Sequence, residues 1–218
     1  MADERSPVSS RLLTGLAWVV LLAGLLVWGS DLTDVPQSGP SIGDVSGIGQ
    51  PAEVQLPPAH KPLPPARPHR VDIPAIGVQA PVVKRGLDAE RAIDPPPYDQ
   101  KGVVGWYGGG VKPGAKGAAL FVGHVDTETQ PAVFYNLSTL RPGQQIRVTR
   151  ADGSLAEFTV EDVQVFTRDR FDAQQAYGAR EPDRAELRLI TCGGTFDRAA
   201  KAYTSNVVVS AYLTGTGP

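Results

Sequence analysis

Hydrophobic and polar positions fall into three regimes along the chain. Leu12 to Ser30 carries no charged residue and is rich in Leu and Val, with Trp18 and Trp28 among them. Its length approaches the ~20 apolar residues that cross a bilayer core, so it predicts a membrane helix. From Asp31 to Arg70 the apolar pattern breaks up, with nine Pro and four Gly in 40 residues, and no sustained helix or strand period is left. From Val71 onward short apolar runs recur between Gly, Pro, Asn and Asp: Val71–Ile73, Ala80–Val83, Ala118–Val122, Gln145–Thr149, Ala156–Phe166, Glu186–Thr191 and Asn206–Leu213. Such spacing predicts an all-β domain, a sandwich or a barrel. Arg141-Pro142-Gly143 and Asp152-Gly153-Ser154 read as turns, the second as a hairpin between two apolar alternations. Pro131 to Leu140 alone reads as a short helix, with Pro131 near its first turn.

The flanking charges orient the apolar segment. Arg5 and Arg11 precede it and Asp31 and Asp34 follow it, so residues 1–11 are expected as a cytoplasmic tail and everything after a single-pass helix over 12–30 as extracytoplasmic. A cleaved export signal is the competing reading, but the run exceeds a usual signal core and no small-x-small site follows Trp28. Both readings export the rest of the chain. Residues 31–70 are expected as a Pro/Gly-rich linker that reaches on the order of 100 Å if extended at ~3.1 Å per residue. His60 and His69 lie in or beside it and read as solvated. Residues 71–213 are expected as one domain and 214–218 as a C-terminal tail.

Charge and composition then narrow the function. Net charge is −2 with both signs dispersed, which leaves no electrostatic footprint for nucleic acid. Gly108-Gly109-Gly110 lacks the Lys-Ser/Thr of a phosphate-cradling loop and reads as a flexible connection. The chain has one cysteine, Cys192, in Leu189-Ile190-Thr191-Cys192-Gly193-Gly194. An exported lone thiol is either a buried small hydrophobe or a reactive group. The one histidine of the domain, His124 in Gly123-His124-Val125-Asp126, also follows a strand-like run, so two strand ends can meet at one barrel rim. A thiol needs a cation or base to become a nucleophile, and an imidazole supplies it. His124, Asp126 and one Cys fall short of the four ligands of structural zinc, so no metal is expected.

Taken in order, Gly123-His124-Val125-Asp126-Thr127, then Leu189 to Gly194, then Tyr203 and Asn206-Val207-Val208-Val209 resemble a sortase over about 140 residues. The glycine pair and the following Phe196-Asp197 are most similar to class F sortases of Gram-positive actinobacteria. The resemblance implies an eight-stranded sortase-type β-barrel with short helices, a membrane anchor, no cofactor, and a cysteine transpeptidase with Cys192 and His124 in the catalytic positions. It implies cleavage of a Leu-Pro-x-Thr-Gly-like sorting signal on exported proteins through a Cys thioester, and transfer to a peptidoglycan or lipid-linked amine. The family's third catalytic residue is an arginine about a dozen residues after the Cys, where this chain reads Tyr203-Thr204-Ser205-Asn206. Arg198 is then the nearest candidate, and Asn206 a fallback donor. Thr191 and Gly193, beside the nucleophile, are expected to line the substrate groove. Two rivals stay open: a cell-wall thiol peptidase, disfavoured because the Cys follows a strand rather than heading a helix, and an inactive membrane-tethered barrel that binds wall polymer or protein.

Overall fold

The computed structural model describes residues 54–89, 92–200 and 202–217. The expected N-tail, membrane helix and first part of the linker lie outside them. Among the described residues no helix is long and apolar enough to cross a membrane.

Eight strands form: β1 (Pro68–Ile73), β2 (Val78–Arg85), β3 (Val104–Tyr107), β4 (Gly117–Val122), β5 (Gln145–Arg150), β6 (Leu155–Thr167), β7 (Ala185–Asp197) and β8 (Ala202–Gly217). They close into a barrel in the order β1-β2-β3-β4-β7-β8-β6-β5, with β1 pairing β5. Neighbours are antiparallel except β2–β3 and β4–β7. Inward positions carry the core, including Ile73, Phe121, Ile146, Phe158, Leu187, Leu189 and Val209, all fully buried. Each such side chain contributes ~1.5–3 kcal/mol by leaving water.

The structure departs from the sequence pattern in three places. β3 is absent from the expected runs because Gly105 interrupts it and only four residues pair; that glycine is required, since a Cβ there would lie 2.7 Å from Arg85 Cγ and 3.1 Å from Val122 Cγ1. Pro131–Leu140 is not an α-helix. It is a series of turns ending in a 3₁₀ turn, Leu137–Thr139, and the three-residue spacing of buried Phe134, Leu137 and Leu140 matches the 3₁₀ period, where i and i+3 eclipse. The expected linker and tail are both shorter than the pattern implied. β1 begins at Pro68, and β8 runs to Gly217, pairing Leu155.

The described part of the Pro-rich segment is strapped onto the barrel. Its few donors and carbonyls find barrel partners: His60 N–H donates to Leu213 O at 2.8 Å, Leu63 N–H to Gly114 O at 2.7 Å, and Ala151 N–H to Arg67 O at 2.8 Å. Tyr212 Oη donates to Pro57 O at 2.5 Å, and the buried Arg150 guanidinium donates to Pro64 O. Leu63 packs against the core. A chain poor in N–H groups docks cheaply this way, because few donors need satisfying.

The β6–β7 connection lies over the outer face of β6, β7 and β8. It contains one short helix, α1 (Ala173–Tyr177), capped by Asp172, whose carboxylate accepts from the N–H groups of Gln174 and Gln175. Phe166, Ala176, Ile190 and Val208 form a second apolar cluster there, flanked by Ile93, Phe171 and Tyr177. Beside it, Glu186 and Arg188 are wholly buried. Glu186 accepts from Arg188 at 2.6 Å, from Arg184 at 3.0 Å and from the backbone N–H groups of Arg180 and Glu181. Arg184 also pairs with Glu161 through both terminal nitrogens at 3.0 Å.

Candidate active site

The parallel β4–β7 pair sets the geometry. Its last register pair is Val122 with Ile190, and Gly123 N–H then donates to Ile190 O at 3.1 Å. His124 and Cys192 each stand two residues beyond that pair, so the strand ends bring them to one level of the rim. Alternation along β7 puts Cys192 on the outward face with Ile190. Across β7–β8 Cys192 faces Asn206, and across β8–β6 Asn206 faces Phe166.

His124 is buried and held from three sides. Phe134 N–H donates to its carbonyl at 3.0 Å, Tyr98 stacks on its ring with centroids 4.3 Å apart at 21°, and its Nε2 lies 2.6 Å from Pro96 O. A carbonyl oxygen only accepts, so Nε2 carries the proton and Nδ1 is the nitrogen left to exchange one. Gly123 permits this packing: a Cβ there would fall 2.7 Å from both the Phe134 ring and Val133 Cγ1.

Cys192 is exposed and unpaired. Burial by the surrounding rim nonetheless pushes its thiol above the ordinary value, Arg168 pulls it back and Asp126 pushes it further up. At neutral pH the resting sulfur is therefore protonated, and attack requires a base at that moment. Asp126 accepts a hydrogen bond from Tyr203 Oη, which is the main reason the Tyr203 phenol is pushed up to about 12. The Phe196 ring packs edge-on against Tyr203 at 5.2 Å. This contact fastens the β7–β8 hairpin to the loop after β4. Gly194, at φ 78°, carries the turn of β7 beyond the nucleophile, where a Cβ would sit 2.4 Å from Thr204 Oγ1.

The remaining candidates separate. Asn206 stays beside Cys192. Thr191 and Gly193 are buried and alternate with Cys192, so they face the barrel interior and are not placed to line a groove on its outer side; the Thr191 hydroxyl has no hydrogen-bond partner there. Arg198 stands in the hairpin turn beyond Asp197, whose carboxylate closes that turn by accepting from Ala199 and Ala200 N–H. Arg198 lies six residues beyond Cys192, past the register shift between Gly193 and Phe196 and the left-handed Gly194, at most roughly 20 Å away at ~3.3 Å per residue. The sequence reading did not assign Pro96 and Tyr98, although Pro95-Pro96-Pro97 is a stiff run able to present a carbonyl, nor Arg168, for which sequence spacing holds no signal. Among the described residues no cluster of three or more His, Cys, Asp or Glu could hold a metal.

A family model described as "Sortase domain" matches residues 71–214. Among solved structures, sortase C-1 of Streptococcus pneumoniae is 21% identical with a TM-score of 0.51, the match covering 66% of this chain and 65% of that one. Sortase A of Corynebacterium diphtheriae is 19% identical with a TM-score of 0.52, over 71% and 63%. The chain thus spans slightly less than two thirds of either, and at these identities the likeness is one of fold. No curated protein matches the chain.

Proposed function

The chain belongs to the sortase family of cysteine transpeptidases, and on that premise we propose that it cleaves a Leu-Pro-x-Thr-Gly-like sorting signal and joins the new acyl end to a cell-wall amine. The observation that supports the reading is the parallel register of β4 and β7, whose last pair, Val122 with Ile190, lies two residues before both His124 and Cys192, with the histidine tautomer set by Pro96. His124 Nδ1 takes the thiol proton as Cys192 Sγ bonds to the carbonyl carbon of the signal's Thr, and the carbonyl π pair moves to oxygen. That pair returns as the C–N bond breaks, the departing Gly amine leaves with the proton from His124, and a thioester remains. The incoming amine then forms a C–N bond at the same carbon, loses its proton to His124, and expels the Cys192 thiolate, which takes that proton back from His124 Nδ1 to restore the resting thiol. Asn206, in register with Cys192, donates to the substrate backbone in this scheme.

The finer assignments belong to the same proposal. Gly193-Gly194 with Phe196-Asp197 supports class F. The apolar run Leu12–Ser30, with Arg5 and Arg11 before it, supports a single-pass anchor in a Gram-positive cell membrane with the barrel outside. The partners are then exported proteins with sorting signals and a peptidoglycan or lipid-linked amine. A papain-like thiol peptidase is disfavoured because Cys192 is carried on a strand.

The test incubates the full chain in detergent with a sorting-signal peptide and an amine such as triglycine, read by mass spectrometry. A peptide–amine adduct and a Cys192 thioester, both lost in Cys192→Ala, are expected. Hydrolysis alone with every amine tried would refute transpeptidation and leave a thiol hydrolase, while no cleavage would return the inactive barrel.

A further inference from the structure

The tetrahedral carbon formed at Cys192 places a negative oxygen at the rim, and the sequence supplies no arginine where β8 passes the nucleophile. We propose that Arg168 supplies that cation, binding the substrate carbonyl as it becomes an oxyanion beside Cys192. This rests on the assignment of Cys192 as nucleophile.

The placement follows from strand order. β8 lies between β6 and β7, so the end of β6 is one strand beyond the residue facing the cysteine: Cys192 pairs Asn206, Asn206 pairs Phe166, and Thr167 pairs Ser205, which pairs Gly193. Strand alternation puts Phe166 on the outward face of Cys192, and Arg168 follows the last strand residue, Thr167, as the first residue of the 3₁₀ turn. Two strand spacings of ~4.8 Å across the sheet and two residues of ~3.3 Å along it put the Arg168 backbone roughly 12 Å from that of Cys192, a gap that an extended arginine stem and the substrate carbonyl between them can bridge. Arg168 is exposed at the start of a 3₁₀ turn. Among the described residues it makes no side-chain hydrogen bond or ion pair, whereas Arg170 in the same turn pairs with Asp169 at 3.6 Å. A planar, permanently charged donor without a side-chain partner among the described residues, one strand beyond the residue that faces Cys192, suits a developing oxyanion. The groups acting on the thiol agree: Arg168 is the cation among them, opposed by Asp126, with Tyr203 bonded to Asp126 and His124 on the far side.

The experiment compares the full chain with Arg168→Ala, Arg168→Lys and, as a control of equal charge loss, Arg170→Ala. Two readouts are taken: peptide turnover, and the pH dependence of Cys192 alkylation by iodoacetamide, which needs no substrate. Arg168→Ala is expected to lower turnover about 10²-fold through kcat and to shift the alkylation profile to higher pH. Arg168→Lys restores the alkylation profile but only part of the turnover, since a point charge lacks the planar fork. Arg170→Ala changes neither. Circular dichroism verifies folding, which an exposed side chain with no side-chain partner among the described residues is not expected to perturb. If either readout is unmoved in Arg168→Ala, or if the loss appears in Arg198→Ala instead, the assignment is overturned. Should the parent chain turn over no peptide, the transpeptidase reading fails, and the alkylation shift still decides whether Arg168 acts on Cys192.

Discussion

The buried ion cluster under the β6–β7 connection makes an asymmetric prediction. Glu186 has four donors, Arg188, Arg184 and the N–H groups of Arg180 and Glu181. Arg188 has Glu186 at 2.6 Å and Gly178 O at 2.7 Å, with a marginal contact to Leu187 O at 3.4 Å. Removing the carboxylate therefore strands a wholly buried guanidinium; removing the guanidinium leaves a carboxylate still well satisfied. Glu186→Ala should cost about 3–5 kcal/mol, the penalty for a buried charge without its partner. At ~2–4 °C per kcal/mol for a domain of this size, the melting temperature should fall by about 6–20 °C. Arg188→Met exchanges the hydrogen bonds to Glu186 and to Gly178 O for apolar volume and should cost about 1–2 kcal/mol. Urea denaturation followed by circular dichroism measures both. Equal costs, or a larger one for Arg188→Met, would refute the claim that Glu186 organises the cluster.

Two further outcomes concern the site. In Gly123→Ala the new Cβ must displace Phe134 or Val133 or shift His124, and an ångström of misplacement there should lower peptide turnover about 10²-fold, measured as kcat, while iodoacetamide still labels Cys192. Asp126→Asn removes the negative group that pushes the Cys192 thiol up; the thiolate is then favoured and the alkylation profile should move to lower pH, opposite in sign to Arg168→Ala, and an upward shift would show that Asp126 acts on the thiol mainly through Tyr203.

The barrel was largely legible because its signals are local. Alternation marked seven of the eight strands, and Gly143 and Gly153, at φ 89° and 84°, mark the two turns read from Arg141-Pro142-Gly143 and Asp152-Gly153-Ser154. What failed locally also failed for local reasons. Val104-Gly105-Trp106-Tyr107 is too short to show a period. Residues 54–67 have the composition of a free linker, yet a handful of hydrogen bonds and Leu63 suffice to dock them, and composition does not count bonds to distant partners such as Gly114 and Leu213.

The site divides along the same line. Cys192 and His124 are legible as candidates because each follows its own apolar run, and their common level at the rim depends only on β4 and β7 being neighbours. Thr191 and Gly193 were proposed from adjacency to the nucleophile, but in a strand adjacent residues point to opposite faces, so contiguity was the wrong measure and Asn206, fourteen residues away, is the true neighbour. The candidate Arg198 rests on the same measure, distance along the chain. Counting along the chain from Cys192 leads out to the tip of a hairpin, whereas counting across the sheet, from β7 through β8 to β6, reaches Arg168 in two steps although 24 positions separate it from the cysteine in sequence. On the proposed assignment, a cation that β8 does not carry beside Cys192 is supplied from the end of β6 without any change in the barrel, because β8 lies between β6 and β7.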